Sequence, residues 1–536
     1  MTTSLSPYGN YAYAILTANA LRAPDQAALT YCGEQTLTFD ELNRAVNRRA
    51  HALAAAGVTP GMRVGSLLHE TLNVAEIYLA CSKLGGVLAA LNPYWPEETL
   101  AAVVEHSECT AFVYDAPHDD LVSRIRKKLP GVKLWLRLGP RITGAGAGAA
   151  ERDSRFASEG VTDLDTLTAE AGDAEPRLGA HFDDVLGLFY TSGTTGLPKA
   201  VVHTHASCLA SAQLWLDLPK DRDSVFGTGS IIWGIGFPAI VGPALLAGMR
   251  LVLENDWGPA NFLKVVPRER VSHVSQIPSF YASLLSTDDH VGVDLSSLKV
   301  ICLGGEPLLP SLLEKIKQRL PQAGVYSYYG QTEAPYTCFG RLDDGSQDLR
   351  SSGRARTTAA VRITDPAGNR VIGEAGEINL TGPQVMNGYD KQPDKTAEVL
   401  RDGWYVGGDL GIMDADGFLT VLGRREDAIA SGGHWIQPAQ LEEVACSLDG
   451  VAEAGAVGVP EGTAEQKILL AVVPRAGAEL TEARLADALA AKLPAHQRPS
   501  AIVIAGELPH TQDASGGPGK LLRREIRTMY GHLLAG

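Results

Sequence analysis

The sequence contains no C-x-x-C pair, and its seven cysteines (Cys32, Cys81, Cys109, Cys208, Cys302, Cys338 and Cys446) are scattered along the chain. An odd, dispersed set fits reduced structural thiols, not a disulfide framework or a zinc cluster. Positive charge is also scarce: Lys and Arg total 47 against 62 Asp and Glu, a net charge of −15. That balance excludes a general nucleic-acid or anionic-membrane surface, so an anionic substrate requires locally focused positive charge. No apolar run reaches the roughly 18 residues of a membrane span, and the first residues lack a basic segment followed by an apolar one. A soluble cytoplasmic protein is expected. A Walker A loop is missing too, because Pro198 and Ala200 stand where that pattern, counted from Gly193, needs Gly and Ser or Thr.

What is present is enough apolar residue, 45%, for sizeable cores in a chain of 536 residues. At about 150 residues per domain this length suggests two to four units. The stretch Tyr190 to His205, YTSGTTGLPKAVVHTH, stands out. The apolar run Val185 to Tyr190 reads as a buried strand that breaks into Thr191, Ser192, Gly193, Thr194, Thr195 and Gly196, with one lysine, Lys199, just beyond. Glycines that admit close backbone N–H groups, hydroxyl donors and a point charge suit the phosphates of a nucleotide.

Helices are expected over Ala12 to Leu21 and Phe39 to Ala56, flanking a hairpin that turns at Gly33-Glu34. Apolar strands and helices then alternate as in an α/β layered fold. Residues 139–160 are Gly, Ala and charge without periodicity, expected as an exposed or disordered loop. Gly144, Gly146 and Ala149 spell a dinucleotide fingerprint within this repeat, but without a strand-to-helix context. Further strands end in Gly-rich turns at Val225 to Phe237, Val300 to Leu308 and Val325 to Glu333, and such strand ends converge on one crevice. From Ala359 the pattern changes to short strands, a β-rich subdomain, and after Gly423-Arg424-Arg425-Glu426-Asp427 a last α/β segment of about 110 residues can form its own core.

The ordered set YTSGTTGLPK, GGEP (Gly304 to Pro307), YYGQTE (Tyr328 to Glu333), GYD (Gly388 to Asp390), GWYVGGD (Gly403 to Asp409), GRRED, SGGHWIQPAQLEE (Ser431 to Glu443) and PGKLLRREIR (Pro518 to Arg527) resembles the adenylate-forming acyl-CoA synthetase superfamily, which includes peptide-synthetase adenylation domains and luciferases. The resemblance spans about residues 12 to 530. It implies an α/β fold: a large N-terminal domain of layered α/β sheets with a β-barrel-like subdomain (1–423), a hinge (424–427) and a small mobile α+β C-terminal domain (428–536). It also implies a carboxylate attacking the α-phosphate of Mg-ATP to give an acyl adenylate and pyrophosphate, with a thiol then capturing the acyl group. Negative charge builds on phosphate oxygens in the first step, so preorganised donors and cations are required.

The resemblance assigns the phosphates to Thr191, Ser192, Gly193, Thr194, Thr195 and Lys199, and the adenine to Gly305, Glu306, Pro307 and the Tyr328-Tyr329-Gly330 stretch, with Tyr329 stacking. Thr332 would meet the α-phosphate, Glu333 would ligate Mg²⁺, Asp409 would accept the ribose hydroxyls and Arg424 would support them. Lys520, flanked by flexible Gly516 to Gly519, would be the catalytic lysine, and Glu426 the hinge carboxylate. The acyl pocket is expected to draw on His205, Trp233, Gly234, Phe237, Ile277, Tyr281 and Gly304, without an anchor for an amino group, so an apolar or aromatic acid fits. His203 and His205 form an H-x-H with no third ligand nearby in sequence, so no metal site is expected there.

Two departures from the family pattern stand out. QDASGGP is inserted between Thr511 and Gly519-Lys520, and no Lys or Arg lies between Asp427 and Glu443, where Gly433, His434 and Trp435 occupy the loop expected to serve the thiol step. These favour an intact adenylation half and a weakened or specialised CoA half. The leading expectation is an ATP-dependent acid–thiol ligase using ATP, Mg²⁺ and, most simply, CoA. Alternatives are an adenylating enzyme serving a carrier protein or partner ligase, and a non-catalytic nucleotide-binding module. The residues do not encode the oligomeric state.

Overall fold

The computed structural model describes residues 9–140, 160–177, 179–191, 197–213, 216, 218–221, 223–228, 231, 234–345, 347–356, 358–431, 434–461, 465–475, 477–512 and 518–534. The Gly/Ala-rich expectation over 139–160 therefore lies almost wholly outside the described residues, and the dinucleotide-like glycines do so entirely.

Local chemistry sets the first elements. Thr38 and Glu41 form a reciprocal capping box that starts the helix Phe39–Ala55, whose Leu42, Val46, Ala50 and Leu53 are fully buried. The preceding hairpin, Ala27–Tyr31 with Gln35–Thr38, turns through Cys32-Gly33-Glu34 as expected. The helix Thr71–Leu84 ends at Gly85 in the left-handed conformation, φ 83°. These two helices lie between two sheets, and one core cluster takes residues from both: Val64 and Leu88 from one, Leu251 and Val300 from the other.

The first sheet has eight strands with a parallel centre, Val185–Thr191 running beside Val87–Ala90, Arg63–Leu67 and Ala111–Asp115. The second has fifteen strands. In its parallel part Val225–Thr228, His273–Gln276, Val300–Leu303 and Gly324–Gln331 lie side by side, with Gln276, Leu303 and Ser327 in one row. The carboxyl ends of those strands open on one side, which places their loops together. The short strands expected after Ala359 are present as Ala360–Thr364, Ala375–Thr381, Trp404–Met413 and Phe418–Arg424. They extend this sheet, because Ser351–Ala355 pairs with Phe418–Arg424 on one side and with Ala334–Arg341 on the other. From Ile429 onward a three-stranded sheet (Val451–Glu461, Glu465–Pro474 and Ala501–Ile504) carries the helices Pro438–Cys446 and Glu482–Lys492 around its own core.

A buried polar socket ties the segment that follows residue 160 to the helical layer. Lys83, fully buried, donates to Asn43 and Asn47 Oδ1 at 2.8 and 2.7 Å and to Glu175 Oε1 at 2.7 Å. Asn43, Asn47 and Thr17 donate to the same carboxylate. Burial lowers the Lys83 ammonium to about 8 against the upward pull of Glu175. Glu175→Gln keeps the shape and removes the charge, so it is expected to cost about 1–2 kcal/mol in chemical denaturation at pH 7.

Candidate active site

The Thr191-to-Lys199 stretch folds as its composition requires. Val185–Thr191 and Lys199–Thr204 are antiparallel, and Thr191 pairs directly with Lys199. The intervening loop is thus closed at its base, with the lysine fixed at one end. Ser192, Gly193, Thr194, Thr195 and Gly196 lie outside the described residues. Lys199 Nζ stands 5.1 Å from the centre of the Tyr389 ring, and the Tyr389 hydroxyl donates to Glu333 Oε1 at 2.8 Å. Burial, then the neighbouring Glu333 charge, raise the Tyr389 phenol and keep it a donor. Gly388-Tyr389 reaches this position because it pairs with Val201-Val202, and Arg63 clamps the next residue, Asp390, through two 2.8 Å bonds.

Thr332 and Glu333 form the two-residue turn between Gly324–Gln331 and Ala334–Arg341. Gly330 permits this turn: a Cβ there would lie 2.4 Å from the Tyr336 nitrogen. His203 holds the turn from below, its Nε2 2.7 Å from the Thr332 carbonyl and its Nδ1 2.9 Å from Ser207 Oγ. Nε2 must therefore carry the proton and donate. Burial lowers His203 to about 4 against the pull of that carbonyl. His205 and His273 are also lowered to about 4, first by burial. Since an unfolded histidine titrates near 6.5, the folded chain binds fewer protons, and stability present above pH ~6.5 is lost as the pH falls toward about 4. Unfolding free energies measured from pH 7.5 to 4.5 are expected to fall across this window, and less steeply in His203→Gln.

Asp409 sits at the centre of a hydrogen-bonded group. Its Oδ2 accepts from the Tyr329 hydroxyl at 2.6 Å and from Gln331 Nε2, and its Oδ1 faces Arg424 Nε at 2.9 Å. Tyr405 donates to Gln331 Oε1 at 2.6 Å, and Arg424 also donates to the Gly407 carbonyl at 2.8 Å. Glu306 accepts from the backbone and hydroxyl of Ser279 at 3.0 and 3.1 Å, which fixes the Gly304 to Pro307 loop over the start of the helix Pro278–Leu284.

Several expected site residues differ from expectation. Tyr329 is packed in the core of the β-rich part, 9% exposed, with its hydroxyl bound to Asp409, so it has little free face for an adenine. Tyr328, one residue earlier, points to the opposite side of the sheet because side chains alternate along a strand, and it packs over Gly304 away from Asp409. Phe237 and Tyr281 are fully buried, Phe237 stacked on Tyr78 and Tyr281 against Phe262 and Phe280. Neither has exposed surface with which to line a pocket. His205 is likewise fully buried, its Nδ1 accepting from the Tyr11 N–H at 3.1 Å. Gly234, at φ 65°, faces open space, and half-buried Ile277 stands beside Gly305. Trp233 and Gly433 lie outside the described residues. Ala430↔Trp435 and Ser431↔His434 pair in a short hairpin. Glu426 is exposed in the turn Arg425–Asp427. Sequence reasoning missed Gln331, Tyr389 and Tyr405, although each lies inside a quoted motif.

Pro518–Leu521, the strand that holds Lys520, pairs with His510–Gln512 and lies against Pro278–Leu284. The C-terminal segment therefore meets the large sheet beside the Glu306 loop, and Glu306 contributes to raising His510, after the His510 bond to Glu453.

A lysine paired with Thr191, a buried carboxylate in a tight turn, a second carboxylate ringed by donors and a C-terminal strand laid on Pro278–Leu284 fit an enzyme that activates acids with a nucleotide. Among the described residues no group of three or more His, Cys, Asp or Glu forms a metal cluster, and no helix is long and apolar enough to cross a membrane. The AMP-binding enzyme family matches residues 16–390, and the AMP-binding enzyme C-terminal domain matches residues 440–514. The chain belongs to this family, the adenylate-forming superfamily that its motifs resemble.

A feruloyl-CoA synthase of Amycolatopsis sp is 30% identical over 517 residues, covering 96% of this chain and 97% of the relative. A 3-hydroxybenzoate–CoA ligase of Aromatoleum sp. (strain CIB) is 29% identical over 513 residues, 94% of each chain. The anthranilate CoA ligase AuaEII, solved with anthranoyl-AMP, superposes with a TM-score of 0.88 at 23% identity over 99% of both chains, a likeness of fold.

Proposed function

We propose that the protein is an AMP-forming acid–thiol ligase that activates an aromatic carboxylic acid with ATP and passes the acyl group to CoA. The observation that carries this reading is the docking of the Lys520 strand against Pro278–Leu284, beside the loop held by Glu306. It supports the reading, because Pro278–Leu284 follows directly on the carboxyl end of the parallel strand His273–Gln276. The names of the two relatives, both CoA ligases for aromatic acids, favour CoA over a carrier protein.

The triphosphate would lie along Thr191 to Lys199, with Lys199 as its point charge and Gly305, Glu306 and Pro307 beside the base. Asp409 has three of its roughly four acceptor positions occupied, so it offers the ribose one strong acceptor and Arg424 as a donor. Glu333 fits Mg²⁺: Tyr389 holds one oxygen, and the other accepts no hydrogen bond among the described residues. A hard cation there would neutralise phosphate charge. Thr332 would donate to the α-phosphate, with its backbone held by His203. Lys520 would stabilise charge between the entering carboxylate and that phosphate.

We assign the domains as 1–423 and 428–536, with residues 424–427 and Glu426 as the hinge. Rotation about it would exchange the Lys520 hairpin for the Gly433-His434-Trp435 hairpin in the thiol step. Acid-dependent ATP–pyrophosphate exchange over a panel of benzoates, cinnamates and fatty acids, followed by product analysis with and without CoA, tests the reading. Exchange with aromatic acids and an aryl-CoA product are expected. Exchange without thioester would remove CoA as the acceptor, and no exchange with any acid would remove the ligase assignment.

A further inference from the structure

The short strand that carries Lys520 is held by its partner strand and by what lies beneath the pair. His510 stands directly opposite Leu521, the residue after the lysine, and the Leu522 N–H donates to the Pro509 carbonyl at 2.8 Å. The side chains of His510 and Leu521 both meet Val451–Glu461, an edge strand of the three-stranded sheet, at Glu453 and Gly455. These two positions share a face because they lie two residues apart on a strand. Leu521, Leu508 and Ile526 crowd Gly455, where a Cβ would come within 3.1, 3.3 and 2.6 Å of them. Such an apolar seat is non-directional. The directional contact is that of His510.

The His510 side chain is 16% exposed, with Nε2 2.6 Å from Glu453 Oε1 and Nδ1 2.8 Å from the Leu508 carbonyl oxygen. A carbonyl and an ionised carboxylate only accept, so both ring nitrogens must donate, and only the imidazolium carries both protons. The bond to Glu453 raises His510 above its ordinary value against the opposing effect of burial, and the Glu453 charge, the Leu508 carbonyl and the Glu306 charge add to it. Glu306 belongs to the large-sheet loop, so the imidazolium is also drawn toward the N-terminal part. Cys446, Glu442 and Arg475 lie around Glu453 as well, with Arg475 opposing the two carboxylates at the Cys446 thiol.

We propose that His510, an imidazolium clamped between Glu453 and the Leu508 carbonyl, is a positioning residue that aims the Lys520 strand in the first half-reaction. The assignment rests on the ligase reading above, in which Lys520 acts at the α-phosphate. A neutral ring keeps one N–H, so one of its two acceptors then faces a lone pair and the base of the hairpin loosens beside the lysine. Reacting geometry tolerates little of this, since a misplacement of about 1 Å costs on the order of 100-fold. The clamp is complete below the raised His510 value and is lost as the pH rises through it. Its effect is confined to the step that uses Lys520.

The test follows kcat for acid-dependent pyrophosphate exchange from about pH 6 to 9, alongside the His510 titration read by NMR of histidine-labelled protein. Wild type is expected to lose exchange on the alkaline side with the midpoint of that titration. Glu453→Gln, which removes the charge and keeps an acceptor, should move both midpoints down by about one pH unit. His510→Gln should lower kcat on the order of 10-fold at pH 7 with the KM for ATP and acid little changed, and His510→Lys, charged throughout, should recover most of that loss. Thioester formation from chemically prepared acyl-AMP should be unaltered in all three. Matching kcat and pH profiles in wild type, Glu453→Gln and His510→Gln, or an equal loss of both half-reactions in the variants, would overturn this assignment and leave the ligase reading standing. Failure of every acid to support exchange would overturn both.

Discussion

Replacing Lys520 with alanine is expected to lower acyl-adenylate formation on the order of 10²–10³-fold, the effect of removing one preorganised charge from a developing oxyanion. The strand that carries it is a short one, Pro518–Leu521, paired with His510–Gln512 and laid on Pro278–Leu284. The C-terminal part around it keeps internal contacts that the substitution leaves alone, including the salt bridge of Arg523 to Glu442 at 2.7 Å. The loss should therefore appear in kcat of pyrophosphate exchange and not in thermal stability. Thioester formation from chemically prepared acyl-AMP should fall much less, because that step does not use the lysine in this scheme. Exchange at the wild-type rate would remove Lys520 from the reaction.

Asp409→Ala is expected to combine a functional loss with a structural one. The carboxylate is 7% exposed and receives Tyr329, Gln331 and Arg424. Its removal leaves a phenol and an amide unpaired inside the β-rich core, while Arg424, the most exposed of the three, can turn to water. A destabilisation of about 2–4 kcal/mol is expected in denaturant unfolding. The KM for ATP should rise on the order of 100-fold through loss of the ribose acceptor, as about 3 kcal/mol of binding. Gln331→Leu separates the two effects. It removes one donor to Asp409 and leaves the carboxylate in place, so it should weaken the fold by less than Asp409→Ala and change the KM for ATP little.

The order of elements was legible because each carries a local signal. The capping box at Thr38 and Glu41, the turn at Cys32-Gly33-Glu34 and the Gly85 cap are all short-range chemistry. The site motifs were legible for the same reason, since Thr191 and Lys199 lie close in sequence and meet as a strand pair. What could not be read was side-chain direction across long separations. Tyr328 and Tyr329 are neighbours in one motif, yet a strand sends them to opposite sides, one to Gly304 and the other to Asp409, 80 residues on. Phe237, Tyr281 and His205 have the composition of a pocket wall, and only packing against Tyr78, Phe262 and Tyr11 shows them to be fully buried.

The C-terminal part is also tied to the large sheet by surface charge. Arg350 faces Glu443 at 3.4 Å, with side chains 61% and 28% exposed, and Arg425, within the proposed hinge, pairs with Glu377 at 2.9 Å. Such exposed contacts are individually worth about 0–1 kcal/mol and fade as the Debye length shrinks from about 10 Å at 0.1 M salt to about 3 Å at 1 M. If the C-terminal part rotates as proposed, they would act as an electrolyte-sensitive latch. On that proposal, ionic strength would set how long the chain dwells in its first half-reaction, without any change in the reacting groups themselves.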